Sequence, residues 1–570
     1  MNAAALYFQV QLRMLLLGNC HRVSAFLLSA CLAATLAATA GATPQNSGKI
    51  EDRLPDRQDN RSAPDSTLPD GGSQPVTVKT QAITLKSLDL KGTTVLERAD
   101  IDSITAEFIG KPLSTDDLAR LAGRLTQAYR DRGFFLSRVI IPPQEIQAGR
   151  LTAEAIEGYV VSAKAEGISD DDAAAQFAWL LAERPARLAT FERSLLLLAD
   201  RYGYKATGTR LLPVEGTTDQ FKLEFSVTWR PVSLEFFADN RGTARNGEDQ
   251  AFTGVSWNSI LSAGDQLSAS IFSSFANIPD TLYGELKYGS PWIGGNLWTE
   301  FGASTTTWQD PLYAAVTLGN FESQKLWIKA AIPLLRARER SLWLNMILDA
   351  RDSSSNDSSQ PTRDESLRVL RGSFSLAEVG DKSRADLSLQ VSHGIDGLGA
   401  SRNGDLNLSR VDSRPQFTRV RLSASFFSQL VDRWSVNVAA VGQYADGSLP
   451  STEHLYYGGS RYGRGYDYDI IGGDNGWMAS AELRYTLGAD FLHLEQLQFF
   501  AFADAGRTHD VYRGAPGSNS LFASSAGGGI RLVVAPGLEA SVEAALPLAY
   551  TDSLSLNDTT RIFVTLSWWQ

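Results

Sequence analysis

From Val232 to Gln570 one pattern recurs: apolar and polar residues alternate singly, in runs broken by Gly, Asp, Asn and Ser. In Lys325–Ile332, Leu326, Ile328, Ala330 and Ile332 share one side and Lys325, Trp327 and Lys329 the other. Arg419–Phe426 sets Val420, Leu422, Ala424 and Phe426 against Arg419, Arg421, Ser423 and Ser425. Leu538–Ala544 sets Leu538, Ala540, Val542 and Ala544 against Glu539, Ser541 and Glu543. A period of two marks strands with unlike faces. About sixteen such runs follow one another, each near the length that crosses a bilayer at a tilt. A soluble sandwich shows the same period. The number of runs, the Trp and Tyr near their ends and the unbroken series favour an all-β transmembrane barrel of antiparallel strands over 232–570. Its apolar face meets lipid and its polar face a wet lumen.

Before residue 232 the period changes. Ile83–Leu90 reads as a strand, and Ile101, Ile104 and Phe108 lie at helical spacing. Ser114 with Asp117 is a capping-box start; Leu118, Leu121, Leu125 and Tyr129 share the next face, and Gly133 ends it. Strands over Phe135–Ile141 and Leu151–Glu157 complete a β-α-α-β-β module over 76–160. Residues 161–231 repeat the plan, with helices over Ala173–Leu181 and Phe191–Tyr202 and strands over Tyr204–Leu212 and Phe221–Trp229. The fold class is therefore two α+β modules followed by a barrel.

The polar segment 43–75 holds too little apolar surface to build a core, a short helix around Lys49–Leu54 aside. In 1–42, Arg13 and Arg22 precede the apolar run Val23–Ala38, and Ala38-Thr39-Ala40 and Ala40-Gly41-Ala42 both fit small-residue cleavage. This predicts a cleaved signal peptide, with Met14 an alternative start. The run is short and a polar stretch follows it, which weighs against a retained anchor. It also continues past Cys31, which weighs against acylation there.

Composition narrows the chemistry. The chain of 570 residues is 43% hydrophobic and 21% charged, with 48 glycines and a formal net charge of -11; its mean hydropathy is -0.15. That balance does not suit a helical membrane protein, and the charge argues against a nucleic-acid partner. Both cysteines, Cys20 and Cys31, lie in the expected signal peptide, so a mature chain has no thiol nucleophile, disulfide or cysteine-ligated metal. There is no P-loop, G-x-S-x-G elbow or H-E-x-x-H, and His393, His454, His493 and His509 fall at no ligand spacing. No cofactor, metal or catalytic activity is expected. Gly527-Gly528-Gly529 sits in a strand pattern and reads as a packing or bend feature.

Between two alternating runs lies Tyr456–Trp477, rich in Gly and Tyr, with Gly463-Arg464-Gly465-Tyr466 at its centre. Glycines thin a loop, and arginine keeps its charge when buried. On these residues alone the tip could be solvated outside or folded inward. Downstream, the alternation of Trp477–Leu487 turns Glu482 and Arg484 to the lumen, and the next run turns Phe500, Phe502, Asp504 and Gly506 inward.

Several of these stretches resemble one family. Ala128-Tyr129, Gly133-Phe134-Phe135, Arg138, Ile141-Pro142-Pro143-Gln144, Gly149-Arg150-Leu151 and Gly158 are similar to the POTRA signature of two-partner secretion outer-membrane transporters, the haemolysin-activator type. Phe502-Ala503-Asp504-Ala505-Gly506 resembles that family's F-x-D-x-G strand motif. Gly463-Arg464-Gly465-Tyr466 resembles its V-R-G-Y/F loop motif, with Gly463 in place of valine. Asp239-Asn240-Arg241-Gly242 resembles its D-N-x-G turn, although Asp239 can also be read as the end of the first barrel strand.

The resemblance implies a transporter in the outer membrane of a Gram-negative bacterium, with both modules in the periplasm. An unfolded exoprotein client would bind by strand addition to an exposed sheet edge. The long loop 446–476 would fold into the barrel, Arg464 pairing with Asp504 and taking Glu482 as second acceptor. Outer-membrane lipid and the barrel-assembly machinery are the other implied partners. That machinery usually reads an aromatic last residue, whereas here Gln570 follows Trp569. An assembly or insertase factor of the same superfamily and a passive porin are the other readings; the P-x-Q element, the two modules and the R-G-Y loop favour the transporter.

Overall fold

The computed structural model describes residues 83–145, 148–243, 247–274, 281–309, 320–357, 360–410, 412–468, 470–488, 494–511, 520–550 and 559–570. The expected signal peptide 1–42, the polar segment 43–75 and the helix around Lys49–Leu54 lie outside the described residues. Among the described residues no helix is long and apolar enough to cross a membrane.

Strands do the crossing. Sixteen, from Val232–Asp239 to Arg561–Trp569, form one closed antiparallel barrel in which each pairs with its neighbours and the last with the first. Lipid tolerates no unpaired strand edge, so closure is obligatory. The alternation divides as expected: Leu326, Ile328, Leu422, Phe426 and Val542 are 44–62% exposed on the outer face, while Arg419 and Glu543 are 2% and 4% exposed inside. Trp257, Trp292 and Trp434 ring the rim nearest the modules, and Tyr444 and Trp477 the other, all exposed, as interfacial aromatics do.

The closing seam pairs Thr565 with Asp239 through to Trp569 with Glu235. Gln570 extends it, its N–H donating to Leu234 O at 2.9 Å and its O accepting from Leu234 N at 3.2 Å. Asp239 is thus the last residue of the first strand. Asn240 prolongs the seam with its side chain, Nδ2 donating to Ile562 O at 3.0 Å and Oδ1 accepting from Val564 N at 2.8 Å.

The modules differ from their sequence reading in detail. Ile83–Leu90 is split: Ile83–Thr84 pairs with Pro112–Leu113, while Ser87–Lys91 runs parallel to Arg150–Ile156. The expected strand at Phe135 shrinks to Arg138–Ile140, because a turn from Phe134 O to Ser137 N buries Phe134 first. The helix expected over Ala173–Leu181 breaks at fully buried Phe177 into Asp170–Gln176 and Ala178–Ala182. The helix expected over Phe191–Tyr202 spans Leu188–Ala199. The sequence reading omitted the strand Tyr159–Glu166, which opens the second sheet, pairs parallel with Gln220–Trp229 and straddles the expected module junction.

The capping box forms: Ser114 Oγ accepts from Asp117 N at 3.2 Å, and Asp117 Oδ2 accepts from Ser114 N at 2.9 Å. The Ser114 N–H, followed by its hydroxyl, holds the Asp117 carboxyl below its ordinary pKa. A depressed folded-state pKa means that this support is present above the unfolded pKa and fades as pH falls through the folded one. Ser114→Ala should therefore speed amide exchange in the first turn of Thr115–Asp131 about severalfold near neutral pH, and the gap between variant and parent should narrow in acid without closing, since Ser114 Oγ still accepts from Asp117 N there. Hydrogen exchange by mass spectrometry checks both.

The second module is seated on the barrel's near rim. Asp200, just after the helix Leu188–Ala199, takes both ends of the Arg336 guanidinium at 2.7 and 2.8 Å. Arg193 Nη2 donates to Pro333 O at 2.7 Å and Asn296 Oδ1 at 2.8 Å. Tyr202 packs edge-on against Trp298, with centroids 5.5 Å apart. A forked, nearly buried ion pair fixes orientation as well as distance, so the helix cannot swing freely across the barrel mouth.

Candidate functional site

The segment between strands Trp434–Ala445 and Asn475–Gly488 packs its described residues around Glu453, Tyr457 and Arg464 against inward-facing side chains of the barrel wall. It is itself a hairpin: Leu455–Tyr457 pairs antiparallel with Ile471–Gly473. Leu455, Tyr457, Tyr462, Tyr466 and Ile471 form one buried cluster with Val441, Met478 and Ala523 of the wall. Apolar contact with the wall, and not only charge, holds the hairpin inside.

At the tip, Arg464 is 5% exposed. Its backbone N–H donates to Asp504 Oδ2 at 3.0 Å; Nε reaches the same oxygen and Nη2 reaches Oδ1, both at 3.1 Å. Nη1 donates to Glu482 Oε2 at 2.6 Å, and Nη2 also meets Ser480 Oγ at 3.1 Å. Its Cζ lies 3.4 Å from the centre of the Phe502 ring. Strand register makes this bed, since Ser480 faces Asp504 and Glu482 faces Phe502 across neighbouring strands. A guanidinium on an aromatic face with forked carboxylates is arginine's preferred buried setting.

The glycines are steric requirements. Gly463 has φ 81°, and a Cβ there would come 2.5 Å from Tyr457 Cε1. A Cβ on Gly465 would sit 2.8–2.9 Å from Pro547 N, Leu546 C and Ser525 Cβ. One on Gly506 would lie 2.4 Å from Tyr457 Cδ2. Gly527 and Gly529 leave room for the rings of Phe502 and Phe500, each 2.7–2.8 Å from the Cβ that glycine lacks. Tyr466 Oη lies 2.8 Å from Ala549 O and 3.1 Å from Ser524 O. Ser524 and Ala549 face each other at the edge of a bulge that leaves Leu548 unpaired beside Pro547, which lacks the N–H to continue the ladder.

Sequence reasoning did not single out several partners. Glu543 lies 3.7 Å from Arg464 and 3.0 Å from Arg241. Arg531 forks onto Glu482 at 2.7 and 3.0 Å and stacks on Phe500, and Arg484 adds a third guanidinium at 2.7 Å. Four arginines thus share three carboxylates. The alternation had turned Glu543 and Arg484 inward, so the signal existed, but nothing in it says which inward residues lie at the same height. Beside the tip, a cavity of about 660 Å³ is lined by Arg421, Arg461, Arg484 and Arg531 among others.

Nearer the far rim, His454, Asp474 and Asp510 converge within 4.8 Å, which histidine spacing had not suggested. Arg410 already fills that cluster, meeting His454 Nε2, Asp474 Oδ1 at 2.9 Å and Asp510 Oδ1 at 3.3 Å. A resident guanidinium makes it an ionic tie for the returning arm of the hairpin and a poor cation site.

The POTRA-signature residues are placed for structure. The strand Arg138–Ile140 stops at Pro142, and the Gln144 amide takes over its pairing, donating to Thr152 O at 2.6 Å and accepting from Thr152 N at 2.9 Å. Gly149 has φ 76°, and a Cβ there would lie 2.6 Å from Thr84 O. Leu151 is fully buried, and Arg138 Nη2 reaches Thr218 O of the second module at 3.2 Å.

A family model described as haemolysin secretion/activation protein ShlB/FhaC/HecB matches residues 225–532, and one described as POTRA domain, ShlB-type, matches 83–158. The haemolysin transporter protein HpmB of Proteus mirabilis is 24% identical over 428 residues, covering 72% of this chain and 73% of its own length. The outer membrane transporter CdiB of Escherichia coli is 23% identical over 512 residues, covering 83% and 80%. The solved structure of CdiB from Escherichia coli superposes with a TM-score of 0.73 at 20% identity, covering 90% of this chain and 94% of that one.

Proposed function

The chain belongs to the haemolysin secretion/activation family ShlB/FhaC/HecB, and from that premise we propose how this two-partner secretion transporter of the outer membrane handles its cargo. The modules, 76–160 and 161–231, take up the extended N-terminal region of one unfolded exoprotein in the periplasm. The barrel, 232–570, conducts that chain outward. Ser87–Lys91 and Tyr204–Pro213 lie at the ends of the sheet order in their modules, and a strand edge offers backbone donors and acceptors to an incoming extended chain.

The observation that carries the reading is Arg464 seated on Asp504 and Glu482 inside the barrel. The hairpin leans on the wall from Gln360–Val379 round to Leu538–Tyr550. Cargo passes along the opposite wall, and the ionic seat holds the hairpin to one side. Folding of the exoprotein outside supplies the pull.

Deletion of the chain should remove one exoprotein from the medium while total outer-membrane protein and detergent sensitivity stay as in the parent. A general loss of outer-membrane proteins would point to an assembly factor. Unchanged secretion with lost small-solute uptake would point to a porin.

A further inference from the structure

We propose that Glu453 is a second anchor of the lumenal hairpin, a positioning residue that acts through Arg464. It deepens the transport reading and rests on it only where secretion is the readout. Glu453 lies in the outgoing arm of the hairpin, in the turn Ser451–Glu453, and is 1% exposed. Its carboxylate accepts both Arg371 Nη2 at 2.8 Å and Arg371 Nη1 at 2.9 Å, and meets Arg419 Nη1 at 2.7 Å. Its backbone carbonyl accepts from Arg419 Nη1 and Gln443 Nε2, each at 3.0 Å. Arg371 is held from behind by Asp349 at 2.6 and 3.2 Å. Two carboxylates thus face two guanidinia, a neutral set with its charges out of water.

The two anchors have opposite polarity and stand on different parts of the wall. At the tip the hairpin supplies the cation and the wall the carboxylates. At Glu453 the hairpin supplies the carboxylate, and the strands Gln360–Val379 and Thr418–Val431 supply the guanidinia. Removing the Glu453 charge leaves two buried guanidinia against Asp349 alone, which drives water or a rearrangement into the set. It also lengthens the tether on which Arg464 searches for Asp504, lowering the effective concentration of the tip at its seat. No sequence motif marks Glu453; its meaning comes from the two strands that meet it.

The test reads the tip directly. Ser460 is exposed beside the tip, and Ser460→Cys gives a thiol for a bulky, membrane-impermeant maleimide added outside whole cells, with the parent lacking that cysteine as background. Glu453→Gln should raise the labelling rate about tenfold and cut exoprotein secretion about tenfold, with folded barrel in the outer membrane unchanged. Glu453→Asp, which keeps the charge, should stay within about twofold of the parent in both. Glu453→Gln labelling and secreting like the parent would overturn the proposal. If Glu453→Gln does not assemble, Arg371→Gln and Arg419→Gln break the set from the wall side and should give the same rise in labelling; failure of all three to assemble would assign Glu453 to barrel folding and likewise overturn it. A parent that secretes no exoprotein while Glu453→Gln still labels faster would sink the transport reading and leave the anchor standing.

Discussion

Arg464→Glu is expected to abolish secretion of the partner exoprotein while leaving the barrel folded and present in the outer membrane. The substitution sets a fourth carboxylate among Asp504, Glu482 and Glu543, all 5% exposed or less. Breaking a buried ion pair by removing one partner costs about 3–5 kcal/mol, so the equilibrium constant for seating the hairpin should fall roughly 100- to 4,000-fold. Asp504→Arg alone should do the same from the wall side, placing a guanidinium against Arg464. The double reversal should recover part of the secretion, because it restores one pair; recovery stays partial because Glu482 and Glu543 remain. Exoprotein in the medium against heat-modifiable barrel in the membrane is the measurement. Single reversals that secrete normally would remove the ionic seat from the mechanism.

Gly463→Val is the second large effect, and it runs against the family resemblance, whose loop motif has valine there. In this chain Gly463 has φ 81°, in the left-handed region that a β-branched residue avoids at a cost of about 1–3 kcal/mol. The new side chain would also enter the Tyr457 ring, 2.5 Å from the position of its Cβ. Tyr457 is fully buried and lies against Gly506, so the ring has no room to yield. Gly463→Val should therefore unseat the tip and lower secretion severely. Gly463→Val with Tyr457→Ala removes the collision but keeps the backbone strain, and should recover only in part. Normal secretion by Gly463→Val would mean that the tip works in a conformation other than this one.

The two effects share a cause. The hairpin is held by charge at its tip, by a collar of tyrosines below it and by ionic ties on both arms, at Glu453 and at Asp474. The tip gives position and the tyrosine collar gives area. A substitution at either unseats the same hairpin, so the double variant Arg464→Glu with Gly463→Val should secrete no less than the worse single one.

Local chemistry was legible in the chain. A period of two is imposed residue by residue when one face meets lipid and the other water, so the alternation of Arg419–Phe426, Trp477–Leu487 and Leu538–Ala544, and of the run that holds Phe500, Phe502 and Asp504, already carried the barrel and the inward placement of Glu482, Asp504 and Glu543. The Ser114–Asp117 box carried a helix start for the same reason, since its partners lie three residues apart. What needed the folded chain was everything that joins residues far apart in number at one height of the lumen: Arg464 over Phe502, Arg531 on Glu482, Tyr466 at the Pro547 bulge, Glu453 between Arg371 and Arg419, and Asp200 on Arg336. Alternation states which face a side chain takes and is silent on stagger between strands; in a closed barrel, stagger decides which charges meet.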